Sequence, residues 1–193
     1  MSNVFCLAVD CIVQGVAGVV ETFDNILVVI PSLDPDQKLI KLLGDLKSGG
    51  FPHILVVNDG SADSYAPYFE RAAREFGCEV LRHHINFGKG RALKTAFNHF
   101  LNAYPGCDGL VTVDADGQHR IEDIRACSRE VLAHPEALIL GSRDFYQEDV
   151  PFKSRYGNLI TRHVFHLLCG VRVSDTQTGL RAMSRALVRR FLT

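Results

Sequence analysis

Short apolar runs that alternate with helical stretches restrict this chain to one broad class of fold. Ile26 to Ile30 is an unbroken apolar run closed by Pro31. His53 to Val57, Glu79 to His83, Gly109 to Val113 and Ala137 to Leu140 repeat the signal. Between them, Asp36 to Lys47 carries Leu39, Ile40, Leu42, Leu43 and Leu46 at helical spacing. Gly88 to Asn102 and Ile121 to Ala133 also read as helices, as does a stretch after Ser61 that Ser61 or Asp63 can cap. Strands apolar on both faces are covered on both faces, and a helix between strands implies a crossover. The expected fold is α/β, with a mainly parallel sheet flanked by helices. No internal repeat or low-complexity linker interrupts residues 25–193, which read as one domain.

The two ends depart from this pattern. Residues 1–24 read as an extension of undecided role. Val4 to Val20 is apolar but carries Asp10 and Gln14, is short for a membrane span, and lacks a basic leader. It suits an extra helix, an extra strand or an interfacial segment. Ala186 to Thr193 reads as a helix with no capping Gly or Pro, as expected of a domain cut short at its C-terminal end. Ile160 to Leu168 is helical, with His163 and His166 taken as structural. A formal net charge of −1 gives no reason to expect a nucleic-acid partner. Cys6, Cys11, Cys78, Cys107, Cys127 and Cys169 form no Cys-x-x-Cys. They read as buried reduced thiols in a reducing compartment, not as a zinc or redox motif.

The chemistry concentrates where strands end. Val111-Thr-Val-Asp-Ala-Asp-Gly-Gln-His119 takes an apolar strand into two carboxylates, Asp114 and Asp116. Neighbouring carboxylates are costly unless a cation lies between them, and hard divalent cations take oxygen ligands and phosphates. In a parallel sheet the loops Pro31 to Asp36, Asn58 to Ser61, Asp114 to His119 and Gly141-Ser-Arg143 share one edge, where α/β folds bind ligands. A metal-bridged nucleoside diphosphate fits that edge, and so does an Asp-rich turn without chemistry.

The ordered set Ile30-Pro31, Asn58-Asp-Gly-Ser61, Asn86-Phe-Gly-Lys-Gly90, Asp114-Ala-Asp-Gly-Gln-His119, Gly141-Ser-Arg143 and Asp175-Thr-Gln-Thr-Gly-Leu-Arg181 resembles family 2 glycosyltransferases. Within them it is most similar to the polyprenyl-phosphate, dolichol-phosphate mannose synthase-like branch. The resemblance covers about residues 26–185. It implies a GT-A, Rossmann-like fold, Mg2+ or Mn2+, a UDP- or GDP-sugar donor and a lipid phosphate acceptor. It also implies chemistry in the cytoplasm or at the cytoplasmic face of a membrane, reached through a C-terminal part beyond this chain. Carried over by position, it implies nucleotide contacts from Pro31, Asp34, Asp59, Lys89 and Asp114. The implied metal ligands are Asp114, Asp116 and Gln118, and the implied reacting-centre residues are Asp116, Arg143 and Arg181. His119 fits the pattern as a loop residue, and Arg155 is a further cation candidate. Arg suits phosphate because its planar fork gives paired charge-assisted hydrogen bonds.

The chain also departs from the family. The first loop reads Pro31-Ser-Leu-Asp-Pro-Asp36 where the family has Pro-Ala-Tyr-Asn-Glu, so Leu33 replaces an aromatic and Asp34 or Asp36 must compensate for Glu. No Glu-Asp catalytic-base motif is evident, which suits an acceptor phosphate that is already ionised. Asp59, as a turn residue, is expected to carry little packing. The alternatives are a nucleotide-binding or scaffolding module without turnover, and a family 2 enzyme acting on a polysaccharide. A nucleotidylyltransferase or a dehydrogenase would need glycines after the first strand, and Pro31 to Asp36 has none.

Overall fold

The computed structural model describes residues 5–9, 21–141 and 179–192. Its strands are β1 (Phe5–Val9), β2 (Ile26–Ser32), β3 (His53–Asn58), β4 (Glu79–Arg82), β5 (Gly109–Thr112), β6 (Ala137–Gly141) and β7 (Arg181–Ser184). The helices are α1 (Gln37–Ser48), α2 (Ala66–Phe76), α3 (Lys89–Ala103), α4 (Ile121–Ala133) and α5 (Arg185–Leu192). The strands form one sheet in the order β1-β6-β7-β5-β2-β3-β4.

Alternation along the strands divides the core in two. Ile26, Val28 and Ile30 of β2, with Ile54 and Val56 of β3, pack under α1, α2 and α4 through Leu43, Phe69 and Ile124. Leu27 and Val29, with Leu55 and Val57, pack under α3 and α5 through Phe97, Phe100 and Leu187. Each such fully buried side chain contributes about 1.5–3 kcal/mol relative to exposure. No helix among the described residues is long and apolar enough to cross a membrane.

The sheet is mainly parallel, as expected, and flanked by helices. β1 with β6, β2 with β3 and β5, and β3 with β4 all run parallel. The sequence reading missed β7, which runs antiparallel between β5 and β6, Thr112 facing Arg181 and Gly109 facing Ser184. Part of the N-terminal extension, Phe5–Val9, is a strand of the same sheet. Glu21 pairs with Arg129 of α4, and Phe23 stacks on Phe51 at 4.7 Å.

Two local expectations fail for physical reasons. Pro31 does not end its strand, because the β2–β3 register continues through Ser32 and Asn58. Val29 O accepts from Val113 N, so Pro31, of the same parity, turns its missing N–H to the side where β5 pairing has stopped. Neither Ser61 nor Asp63 caps α2. A 3-10 turn, Asp63–Tyr65, precedes the helix, and Tyr65 makes no side-chain cap. Ser61 Oγ instead accepts from Asp34 N at 2.9 Å, and Asp63 pairs with Arg82 at 2.9 Å. Ile160 to Leu168, with His163 and His166, lies outside the described residues.

Candidate functional site

The strand order reverses at β2, with β3 and β4 on one side and β5 on the other. At such a reversal the loops beyond β2 and β5 diverge and leave a crevice. The expected residues of those loops do meet there.

Asp114 stands just past β5 and is about a quarter exposed. Its Oδ1 accepts from Lys89 Nζ at 2.5 Å. Lys89 opens α3, where a cation is disfavoured by the helix dipole, so its placement serves Asp114 and not the helix. The other flank of Asp114 is backbone. A Cβ on Gly179 would lie 2.0 Å from the Asp114 carboxylate, so only glycine permits the contact. Thr112 holds that backbone in place: its buried Oγ donates to Gly179 O at 2.8 Å. Arg181 follows on β7, opposite Thr112, and is thereby brought to the same edge.

Asp116 Oδ1 accepts from Gln118 N at 3.0 Å, closing a turn in which Gly117 takes a φ of +71°. His119, expected as a polar loop residue, is buried. One oxygen on each of Asp114 and Asp116 has no donor among the described residues. Two hard carboxylate oxygens suit Mg2+ or Mn2+, and no group of three or more His, Cys, Asp or Glu among the described residues gathers into a complete shell. A cation here therefore needs further oxygen ligands, such as a diphosphate.

The second wall of the crevice is the turn after β3. Asn58 Oδ1 accepts from Ser61 N at 2.8 Å, and Asp59 N donates to Ser32 O at 2.9 Å. Asp59 is 3% exposed, contrary to the expectation for a turn residue. Its Oδ1 lies 2.7 Å from His83 Nδ1 and accepts from Phe87 N at 3.1 Å. His83 Nε2 lies 2.9 Å from Thr95 Oγ. Asp34, at a φ of +46°, accepts from Ala62 N at 3.2 Å and so ties the β2 loop to this turn. Asp36 instead caps α1, accepting from Lys38 N at 2.8 Å. Leu33, Ile85 and Phe87 are exposed around this turn, apolar surface on otherwise polar loops. The buried Ser32 hydroxyl has no partner among the described residues.

The structure thus brings Pro31, Asp34, Asp59, Lys89, Asp114, Asp116, Gln118 and Arg181 to one edge. Arg143 and Arg155 lie outside the described residues. Sequence reasoning missed His83, Thr95, Thr112 and Gly179. His83 was legible only as the last residue of a strand. Gly179 lay within a quoted motif, but its contact with Asp114 is long-range.

Comparisons with known proteins agree with this architecture. The sequence model of the family described as "Glycosyl transferase family 2" matches residues 27–192. An uncharacterized protein of Methanocaldococcus jannaschii is 33% identical over 172 residues, covering 88% of this chain and 68% of that protein. The UDP-N-acetylglucosamine–dolichyl-phosphate N-acetylglucosaminyltransferase of Methanococcus voltae is 27% identical, with 85% and 71% covered. The dolichyl-phosphate beta-glucosyltransferase of Saccharomyces cerevisiae is 27% identical, and the chain spans 55% of its length. Among solved structures, glucosyl-3-phosphoglycerate synthase of Mycobacterium tuberculosis, crystallised with Mn2+, UDP and glucosyl-3-phosphoglycerate, superposes with a TM-score of 0.58. It is 22% identical, with 84% of this chain and 57% of that one covered. TarS of Staphylococcus aureus, crystallised with UDP-GlcNAc, gives 0.57 at 17% identity, with 86% and 47% covered. These structures share the GT-A fold expected from the sequence.

Proposed function

The chain belongs to glycosyl transferase family 2, and on that premise we propose that it moves a sugar from a nucleoside-diphosphate sugar to a polyprenyl phosphate. The observation that carries the reading is Asp114 at the strand reversal, held between Lys89 and the backbone of Gly179 with Asp116 beside it. The names of the relatives support the lipid acceptor, since those of Methanococcus voltae and Saccharomyces cerevisiae are both dolichyl-phosphate transferases. The Mn2+ and UDP bound by the mycobacterial neighbour support the donor and the metal.

In this reading Asp114, Asp116 and Gln118 hold Mg2+ or Mn2+, which when bound supplies positive charge for the departing diphosphate. Lys89 adds a cation beside the same phosphates. Pro31, Asp34 and Asp59 form the nucleoside wall. Arg181, with Arg143 two residues beyond β6, orients the acceptor phosphate. One of its ionised oxygens attacks the anomeric carbon as the bond to the donor β-phosphate breaks, and the electron pair leaves with the nucleoside diphosphate. The outcome is inversion. An ionised phosphate needs no base, so positioning and electrostatics do most of the work. The chemistry takes place at a membrane face, where the lipid phosphate resides.

Calorimetry with UDP, with and without Mn2+, tests the donor site. Replacing both Asp114 and Asp116 with Asn should abolish metal-dependent binding, and unchanged metal dependence places the site elsewhere. Transfer of labelled sugar to polyprenyl phosphate tests the acceptor. Efficient transfer to a soluble sugar, with the lipid phosphate inert, would overturn it.

A further inference from the structure

Asp59 has one carboxylate oxygen open, not two. Oδ1 is engaged by His83 Nδ1 at 2.7 Å and by Phe87 N at 3.1 Å. A carboxylate only accepts, so Nδ1 carries the proton. In the neutral ring Nε2 then accepts from Thr95 Oγ, 2.9 Å away. No described residue donates to Oδ2. The pair is nearly dry, with side-chain exposures of 11% for His83 and 5% for Asp59. It is also fixed from below. Gly60 has a φ of +78°, and a Cβ there would lie 2.2 Å from the Ile85 carbonyl carbon, so the His83 to Phe87 segment lies directly on the turn.

We infer that His83 is a positioning residue that makes Asp59 a one-oxygen reader and thereby selects uracil over guanine in the donor. The inference rests on the donor site proposed above. Uracil presents a carboxylate with a single N–H, at N3, between two carbonyls. Guanine presents two adjacent donors, N1–H and the N2 amino group, which match a carboxylate open at both oxygens. With Oδ1 already taken, one guanine donor would lose its water without a replacement. Cytosine presents an acceptor at N3, and an ionised carboxylate has no proton to give it. Leaving one buried polar group unpaired discriminates strongly between otherwise similar ligands.

Calorimetry of the full chain with UDP, GDP and CDP at fixed Mn2+ concentration tests this. UDP should bind at least about tenfold tighter than GDP or CDP. His83→Ala removes the shorter of the two contacts to Oδ1 and leaves only Phe87 N on it, which opens an acceptor position there. The variant should narrow the UDP-over-GDP ratio at least about fivefold. His83→Asn, whose amide can donate to the same oxygen, should restore it. A wild-type protein that binds GDP as tightly as UDP overturns the inference and leaves the donor site standing. A His83→Ala protein that loses both nucleotides by the same factor also overturns it, since a merely structural residue behaves that way. If His83→Ala does not fold, Thr95→Val, which loosens the same ring, must narrow the ratio, and an unchanged ratio overturns the inference. Failure of all three nucleotides to bind overturns the donor site as well.

Discussion

At one edge of the sheet Asp114 and Asp116 each keep an oxygen without a donor among the described residues, whereas at the opposite edge every guanidinium nitrogen of Arg185 is engaged. Its guanidinium donates to the carbonyls of Phe100, Leu101, Tyr104 and Cys107 and lies 4.5 Å from the Phe100 ring centroid. It closes the C-terminus of α3, where a cation is favoured by the dipole. Beside it, Tyr104 Oη donates to Glu79 at 2.7 Å, and His99 pairs with the other Glu79 oxygen at 2.7 Å. This edge also has a concavity of about 510 Å³, lined in part by Leu132, Pro135 and Arg185. That concavity is not the better site. A ligand needs acceptors and donors with capacity to spare, and those lie at the Asp114 edge.

The sharpest way to break that contrast is Arg185→Ala. If the opposite edge is purely structural, the variant should lose about 2–4 kcal/mol of stability, from several charged hydrogen bonds and the ring contact. Nucleotide affinity per folded molecule should stay the same. Chemical denaturation and calorimetry read the two effects separately, and a selective loss of nucleotide binding would move function to this edge. Gly179→Ala should do the reverse. The added methyl displaces the Asp114 carboxylate, so metal-dependent UDP affinity should fall about tenfold, some 1.4 kcal/mol, with a smaller change in melting temperature. Tyr104→Phe removes one hydrogen bond at the structural edge and should cost about 1 kcal/mol of stability with no effect on binding.

The smallest effect concerns pH. Burial pushes the Cys78 thiol from 9.0 up to about 11. Over that interval the unfolded thiol releases a proton that the folded one keeps, so stability falls as pH rises from 9 toward 11. Denaturation midpoints across this range should decline less steeply in Cys78→Ala. Equal slopes would mean that the thiol is not shielded as described.

Much of this was legible in the chain. The apolar runs gave β2, β3 and β5 because strands buried on both faces read as near-continuous hydrophobic runs. Helical spacing gave α1, α3 and α4 to within a residue or two, whereas the role of Asp36 as the cap of α1 emerged only from the structure. Asp114, Asp116, Asp59 and Lys89 followed from ordered motifs at strand ends. Cys78, Cys107 and Cys127 are buried, as a scattered pattern suggests. β7 was not legible. Four residues between a loop motif and a helix carry no strand period, and their pairing with β5 is set across the whole domain.

The sequence by itself determined the class of fold, the loops that share one edge of the sheet and the residue types those loops carry. Periodicity and turn chemistry are local, and they are written in consecutive residues. Only the tertiary structure decided how those residues are held. Gly179 backs Asp114, Thr112 fastens Gly179, and His83 takes one oxygen of Asp59. Each contact joins residues at least 24 positions apart or belongs to a network that does. Such contacts depend on strand order and register, which no local pattern encodes.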